Sequence, residues 1–207
     1  MKKSPTTKNL LKFYKSRKYT SLRNMNKYNK IDDLKEFYHN LNLDYDILSE
    51  IPDKYLISVI QDYVLIRNMD TKLGDTHIID QFDDVFKACY LLDDFFFTMR
   101  IGGFKTYYAT IFSYYDKDTE RLLEAIKEKQ ILELYRTVNH ITGFNKLSKK
   151  EVLDRLINRD RIIDIEKLTI DKQDIIYDIT IEIRKLSEKA RKSLLLYVKE
   201  EIQKGKS

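Results

Sequence analysis

THIIDQFDDVFKACYLLDDFFFTMRIGGF, residues 76–104, is the most apolar stretch of this 207-residue chain. Wound as a helix, it places Ile78, Ile79, Phe82, Val85, Phe86, Cys89, Tyr90, Leu92, Phe96 and Met99 over much of its circumference. A helix apolar on most sides belongs in the middle of a domain. The stretch therefore predicts a central helix over 76–100. Asp83, Asp84, Asp93 and Asp94 occupy the polar edge that remains. Gly102 and Gly103 end the helix, because glycine takes the left-handed conformation that closes helices.

Working outward, the same periodicity recurs. Ile31, Leu34, Phe37, Tyr38 and Leu41 predict a helix over 31–43. Pro52 marks a fresh start, and Tyr55, Leu56, Val59, Ile60, Tyr63, Val64 and Ile66 predict one over about 53–68. After the Gly-Gly turn, Phe104, Tyr107, Tyr108, Ile111, Phe112 and Tyr115 restart a helical stripe. Asp118 or Thr119 suits the cap of a helix over about 119–128. Ile131, Leu132, Leu134, Tyr135, Val138 and Ile141 make another, ended by Gly143. Ser148 and Glu151 form a capping-box pattern. Five Gly and two Pro are too few for a sandwich or barrel with many turns. The fold class expected is all-α: a compact helical domain with a long C-terminal helix and a basic N-terminal arm.

Ile176, Ile179, Ile183, Leu186, Ala190, Leu194 and Tyr197 step by three or four, close to a heptad seam. They predict one helix over about 171–204. Alternation at 163–166 and 179–183 leaves a hairpin over 161–184 as the alternative. The expected organisation is an arm over 1–30, a helical domain over 31–160, and a C-terminal helix within 161–207. That helix either packs on the domain or serves self-association as a homodimer.

Charge is segregated. Residues 1–30 hold ten Lys or Arg and no Asp or Glu, which leaves 28 basic and 33 acidic residues in the remainder. The arm is +10 and the body −5. Lys12, Lys15, Arg17, Lys18 and Arg23, with Tyr14, Tyr19 and Tyr28 among them, suit a mobile arm that neutralises phosphates and stacks on bases. The plainer reading is a solvated or partner-docking tail. No apolar run is long enough to span a bilayer, and the arm lacks the apolar core of a secretory signal. A soluble, cytoplasmic protein is expected.

The catalytic signals are weak. Asp83 and Asp94 lie 11 positions apart on one helix, or roughly 16 Å along its axis, too far to share a metal. His39, His77 and His140 are scattered, and Cys89 falls inside the most apolar helix. The Gly102-Gly103 pair lacks the flanking pattern of a phosphate loop. No enzyme activity, metal or cofactor is expected.

Residues 94–108 carry a further pattern. An acidic helix is followed by Gly102-Gly103-Phe104 and then by the aromatic pair Tyr107 and Tyr108. This resembles the signature of the bacterial DNA-mimic protein family, over residues 53–145 at most. Family members have Asn where Ile101 stands, Gln at Thr106 and Asn at Thr110. The resemblance implies an all-helical fold and a non-enzymatic binding role, in which carboxylates are presented to a DNA-binding protein. Gly102, Gly103, Phe104, Tyr107 and Tyr108 are then the structural motif.

Charge and resemblance together lead to a protein-binding, regulatory helical module with an acidic body, for which Asp83, Asp84, Asp93 and Asp94 are the candidate contacts. The alternative is a nucleic-acid-binding protein led by the arm.

Overall fold

The computed structural model describes residues 5–16, 38, 41–69 and 77–205. Ten α-helices appear among them: α1 Pro5–Ser16, α2 Tyr45–Glu50, α3 Asp53–Met69, α4 His77–Gln81, α5 Asp84–Ile101, α6 Gly103–Tyr108, α7 Asp116–Ala125, α8 Lys129–Thr142, α9 Lys149–Ile157 and α10 Ile170–Lys204. Short 3-10 segments lie at Ile111–Tyr115, Phe144–Lys146 and Ile165–Lys167. No described residue is in a strand. The fold is all-α with a long C-terminal helix.

The chain divides into two compact units, both discontinuous in sequence. One draws on residues 1–72, 76–90 and 195–207, the other on 73–75 and 91–194. Helices α5 and α10 each contribute residues to both.

In the first unit, apolar periodicity does what it predicts. Val59, Ile60 and Val64 of α3 are fully buried. Tyr63 meets Phe82 edge-on at 6.0 Å, and Phe82 stacks on Phe86 at 5.4 Å. Aromatic pairs in such geometries add to the stabilisation from buried area. The predicted 76–100 helix is interrupted here. Oδ1 of Asp83 accepts hydrogen bonds from the backbone N–H groups of Val85 and Phe86, at 3.1 and 3.3 Å. An Asp that satisfies the free donors of a helix start ends whatever precedes it, so α4 stops at Gln81 and α5 begins at Asp84. The predicted 31–43 helix falls largely outside the described residues, and 41–44 are not helical.

The basic arm is described only in its first part. Residues Pro5–Ser16 are helical, and Thr7, Leu10 and Leu11 are buried. Pro5 suits a first helical position, and two adjacent leucines provide an apolar anchor. Lys8 and Lys12 are exposed. Arg17, Lys18 and Arg23 lie outside the described residues.

The second unit is built on rings. Phe95 meets Tyr135 at 5.4 Å and Tyr107 at 5.6 Å, both nearly perpendicular. Phe104 and Tyr108 complete the cluster at 5.9 Å from each other. Gly103 adopts φ 65°, the left-handed conformation expected at the turn. The stripe after it shortens: α6 ends at Tyr108 and a 3-10 segment follows. The Thr110 hydroxyl donates to the Tyr107 carbonyl and the Ser113 hydroxyl to that of Thr110, which stabilises tight turns in place of helix. Helix α7 starts at Asp116, three residues before the predicted start, because this 3-10 segment runs straight into it. Gly143 closes α8 at φ 72°, and Ser148 with Glu151 forms the complete capping box of α9.

The hairpin alternative over 161–184 does not form. Residues 161–164 are irregular, and α10 runs unbroken from Ile170. Ile176, Ile179, Ile183, Ala190 and Leu194 of the seam are buried by the chain's own residues, and Leu186 and Tyr197 partly so.

Candidate functional site

The two acidic pairs do not assemble into one surface. Asp83 is exposed but occupied: besides capping α5, it accepts a 2.5 Å hydrogen bond from the Tyr45 hydroxyl. Burial first, and Asp83 second, push the Tyr45 phenol well above its ordinary range. Asp84 is half-buried in the first turn of α5, where a carboxylate favours the helix dipole. Asp93 and Asp94 are only 8% and 6% exposed. Arg191 approaches Asp93 to 2.6 Å. Since α5 is apolar on most sides, almost every position in its middle goes inside, carboxylates included, and a buried charge then needs a partner.

The Gly-Gly-Phe motif leads into a buried polar network that sequence periodicity did not reveal. The Tyr107 and Tyr135 hydroxyls are 2.8 Å apart, and Tyr135 donates to Oδ1 of Asp116 at 2.5 Å. The side-chain amide of Asn139 donates to the same oxygen at 2.7 Å. Tyr108 donates to the side-chain amide oxygen of Asn139 at 2.7 Å and lies 3.3 Å from the Thr142 hydroxyl. Burial raises the Asp116 carboxyl above its ordinary value, against the hydrogen bonds from Tyr135 and Asn139 that lower it. Burial likewise pushes the Tyr107, Tyr108 and Tyr135 phenols upward. The arrangement orients rings and carboxylate against one another and exposes none of them for chemistry. One signal was available: Tyr135 and Asn139 are four apart, so a polar residue shares the buried face of α8.

An accessible acidic face lies on the first turns of α10. Asp171, Asp174 and Asp178 step by three and four residues, which aligns them on one face. All three are exposed, and among the described residues none has an ion-pair partner. Glu182 extends the row but pairs with Lys185 at 3.3 Å. Exposed apolar side chains accompany these acids: Ile170 is 75% exposed, Tyr177 63% and Ile175 45%. The buried seam of Ile176, Ile179 and Ile183 holds the other side of the helix. Farther along, Lys185, Lys189 and Lys192 are exposed, so the surface of α10 changes from acidic to basic along its length. The three- and four-residue spacing of these acids is legible in the sequence beside the apolar seam.

Among the described residues, no group of three His, Cys, Asp or Glu side chains could hold a metal ion. No described helix is long and apolar enough to cross a membrane. No family profile, curated protein or solved structure matches this chain.

Proposed function

We propose that this protein is a non-enzymatic helical binding module of regulatory type, and that the acidic and apolar face of α10 docks a basic segment of a partner protein. The supporting observation is the pairing of three carboxylates that lack ion-pair partners among the described residues, Asp171, Asp174 and Asp178, with exposed Ile170, Ile175 and Tyr177. Charge alone attracts many cations. Charge beside apolar side chains selects a segment that carries both lysines or arginines and apolar residues. The partner class is therefore an amphipathic basic segment. The four carboxylates from Asp171 to Glu182 fall about every 5 to 6 Å along the axis at the standard helical rise. A DNA strand carries a charge about every 3.4 Å. This face is thus sparser than a duplex, and the reading rests on its mixed character rather than on a copy of DNA.

Affinity capture from the native host, with the full chain and with Asp171→Asn/Asp174→Asn/Asp178→Asn, tests the proposal. These positions are exposed, so the variant keeps its fold. A partner with a basic amphipathic segment should bind the unmodified chain, fall away as salt screens the contact, and be absent from the triple variant. A partner retained equally by both proteins, or none captured by either, overturns it.

A second reading rests on α1. Its exposed Lys8 and Lys12, with Leu10 and Leu11 buried, make it a basic amphipathic helix suited to phosphate contact. Lys8→Glu/Lys12→Glu should then abolish salt-dependent binding of single-stranded DNA. A full-length protein that binds no nucleic acid at low salt removes this reading.

A further inference from the structure

We infer that the cavity beside the Gly-Gly-Phe helix is a binding site for a small organic anion, a carboxylate or phosphate ester with an apolar body. This inference is independent of the α10 face. The cavity has a volume of about 320 Å³, within the range of small-ligand sites. Leu156, Ile162 and Ile163 supply apolar walls, and the three cations Lys105, Arg159 and Arg161 line the cavity beside three acids, Asp160, Asp164 and Glu166.

Two of those cations already hold an anion, the chain's own. Glu166 receives the Lys105 ammonium on one carboxylate oxygen and the Arg161 guanidinium on the other, the latter at 3.1 Å. Arg161 also reaches Asp164 at 2.9 Å. Both contacts draw the Glu166 carboxyl below its ordinary range. Glu166 is exposed, and its ion pairs are therefore readily exchanged. It stands where the anionic group of a ligand would sit.

The third cation is Arg159. Among the described residues its guanidinium has no ion-pair partner. Its backbone sits at φ 58°. The Arg159 N–H reaches the Leu156 carbonyl, and the Asp160 N–H the Arg155 carbonyl, which is the helix ending that glycine normally occupies. An arginine there holds an unfavourable backbone conformation while lining a cavity. Backbone outliers of this sort collect at ligand sites. The wall is firm, because Arg155 donates to the Ile162 carbonyl at 2.7 Å. A ligand whose anionic group displaces Glu166 would meet Lys105, Arg161 and Arg159 together, with its body against Ile162 and Ile163.

Phenyl phosphate is the probe, titrated into the full chain and followed by calorimetry and by the amide signals of Ala109, Ile162 and Ile163. Saturable binding at these signals is expected. Glu166→Gln should tighten it, since the internal competitor loses its charge. Arg159→Gly should weaken it about tenfold or more, as when a charge-assisted hydrogen bond is lost. Glycine suits the left-handed backbone at this position, so a melting temperature no lower than that of the unmodified chain will exclude misfolding as the cause. Binding unaffected by Arg159→Gly overturns the inference, as does absence of saturable binding to both the full chain and Glu166→Gln. Inorganic phosphate binding as tightly as phenyl phosphate overturns the apolar part of the assignment.

Discussion

Gly103 faces Thr180 so closely that a Cβ on Gly103 would lie 2.8 Å from the Thr180 Cγ2. The start of α6 is thus pressed against the side of α10. Glycine is required there twice, once for contact and once for its φ of 65°.

Gly103→Ala should therefore destabilise through two separable effects. The left-handed backbone costs about 1–3 kcal/mol, and the crowding adds a further 1–3 kcal/mol or so. In a Thr180→Ala background the second effect should shrink while the first remains. Denaturant unfolding of the four proteins checks this. Equal losses in both backgrounds would mean that Thr180 does not limit the space.

Asp116 should give stability a specific pH dependence. Its folded carboxyl titrates above the ordinary value of 3.8, chiefly because of burial. For an acid raised on folding, the folded state holds the proton more tightly. The stabilising contribution is complete below 3.8 and is lost as pH rises through the folded value. The stability of the unmodified chain relative to Asp116→Asn should fall across that interval and level off above it. Paired melting curves measure the difference, and a difference that grows with pH would contradict the assignment.

Asp93 is 8% exposed and leans on Arg191. Removing one partner of a buried ion pair costs about 3–5 kcal/mol. The Arg191 side chain is itself 34% exposed, so water recovers part of this. Arg191→Met should destabilise by about 1–3 kcal/mol after that discount. Adding Asp93→Asn should restore part of the loss. A double variant less stable than Arg191→Met alone would show that Asp93 does not depend on this arginine.

The α10 seam should behave as core. Ile183 is fully buried. Ile183→Ala should cost about 2–5 kcal/mol, and light scattering should give a monomer mass for the full chain. A concentration-dependent dimer whose dissociation tracks Ile183→Ala would return the seam to self-association.

Some of these features needed nothing beyond the sequence. Helix α3, the end of α8 at Gly143, the capping box of Ser148 and Glu151, and α10 all follow from signals acting over a few residues: apolar periodicity, a positive φ, a side chain reaching its own backbone. The all-α class follows from the same signals repeated along the chain. Other features needed the tertiary structure. Asp83 breaks the predicted helix while holding Tyr45, 38 positions away. Tyr108 meets Asn139 across 31 positions. Asp93 and Asp94 read as the polar edge of a helix and are in fact enclosed. A polar side chain offers several local partners and many distant ones, and only packing decides which lie within hydrogen-bond reach. Apolar side chains carry no such choice, because burial against any neighbour removes them from water. That is why helices such as α3, α8 and α10 were legible from sequence, while the destinations of the charges on them were decided only when the chain packed.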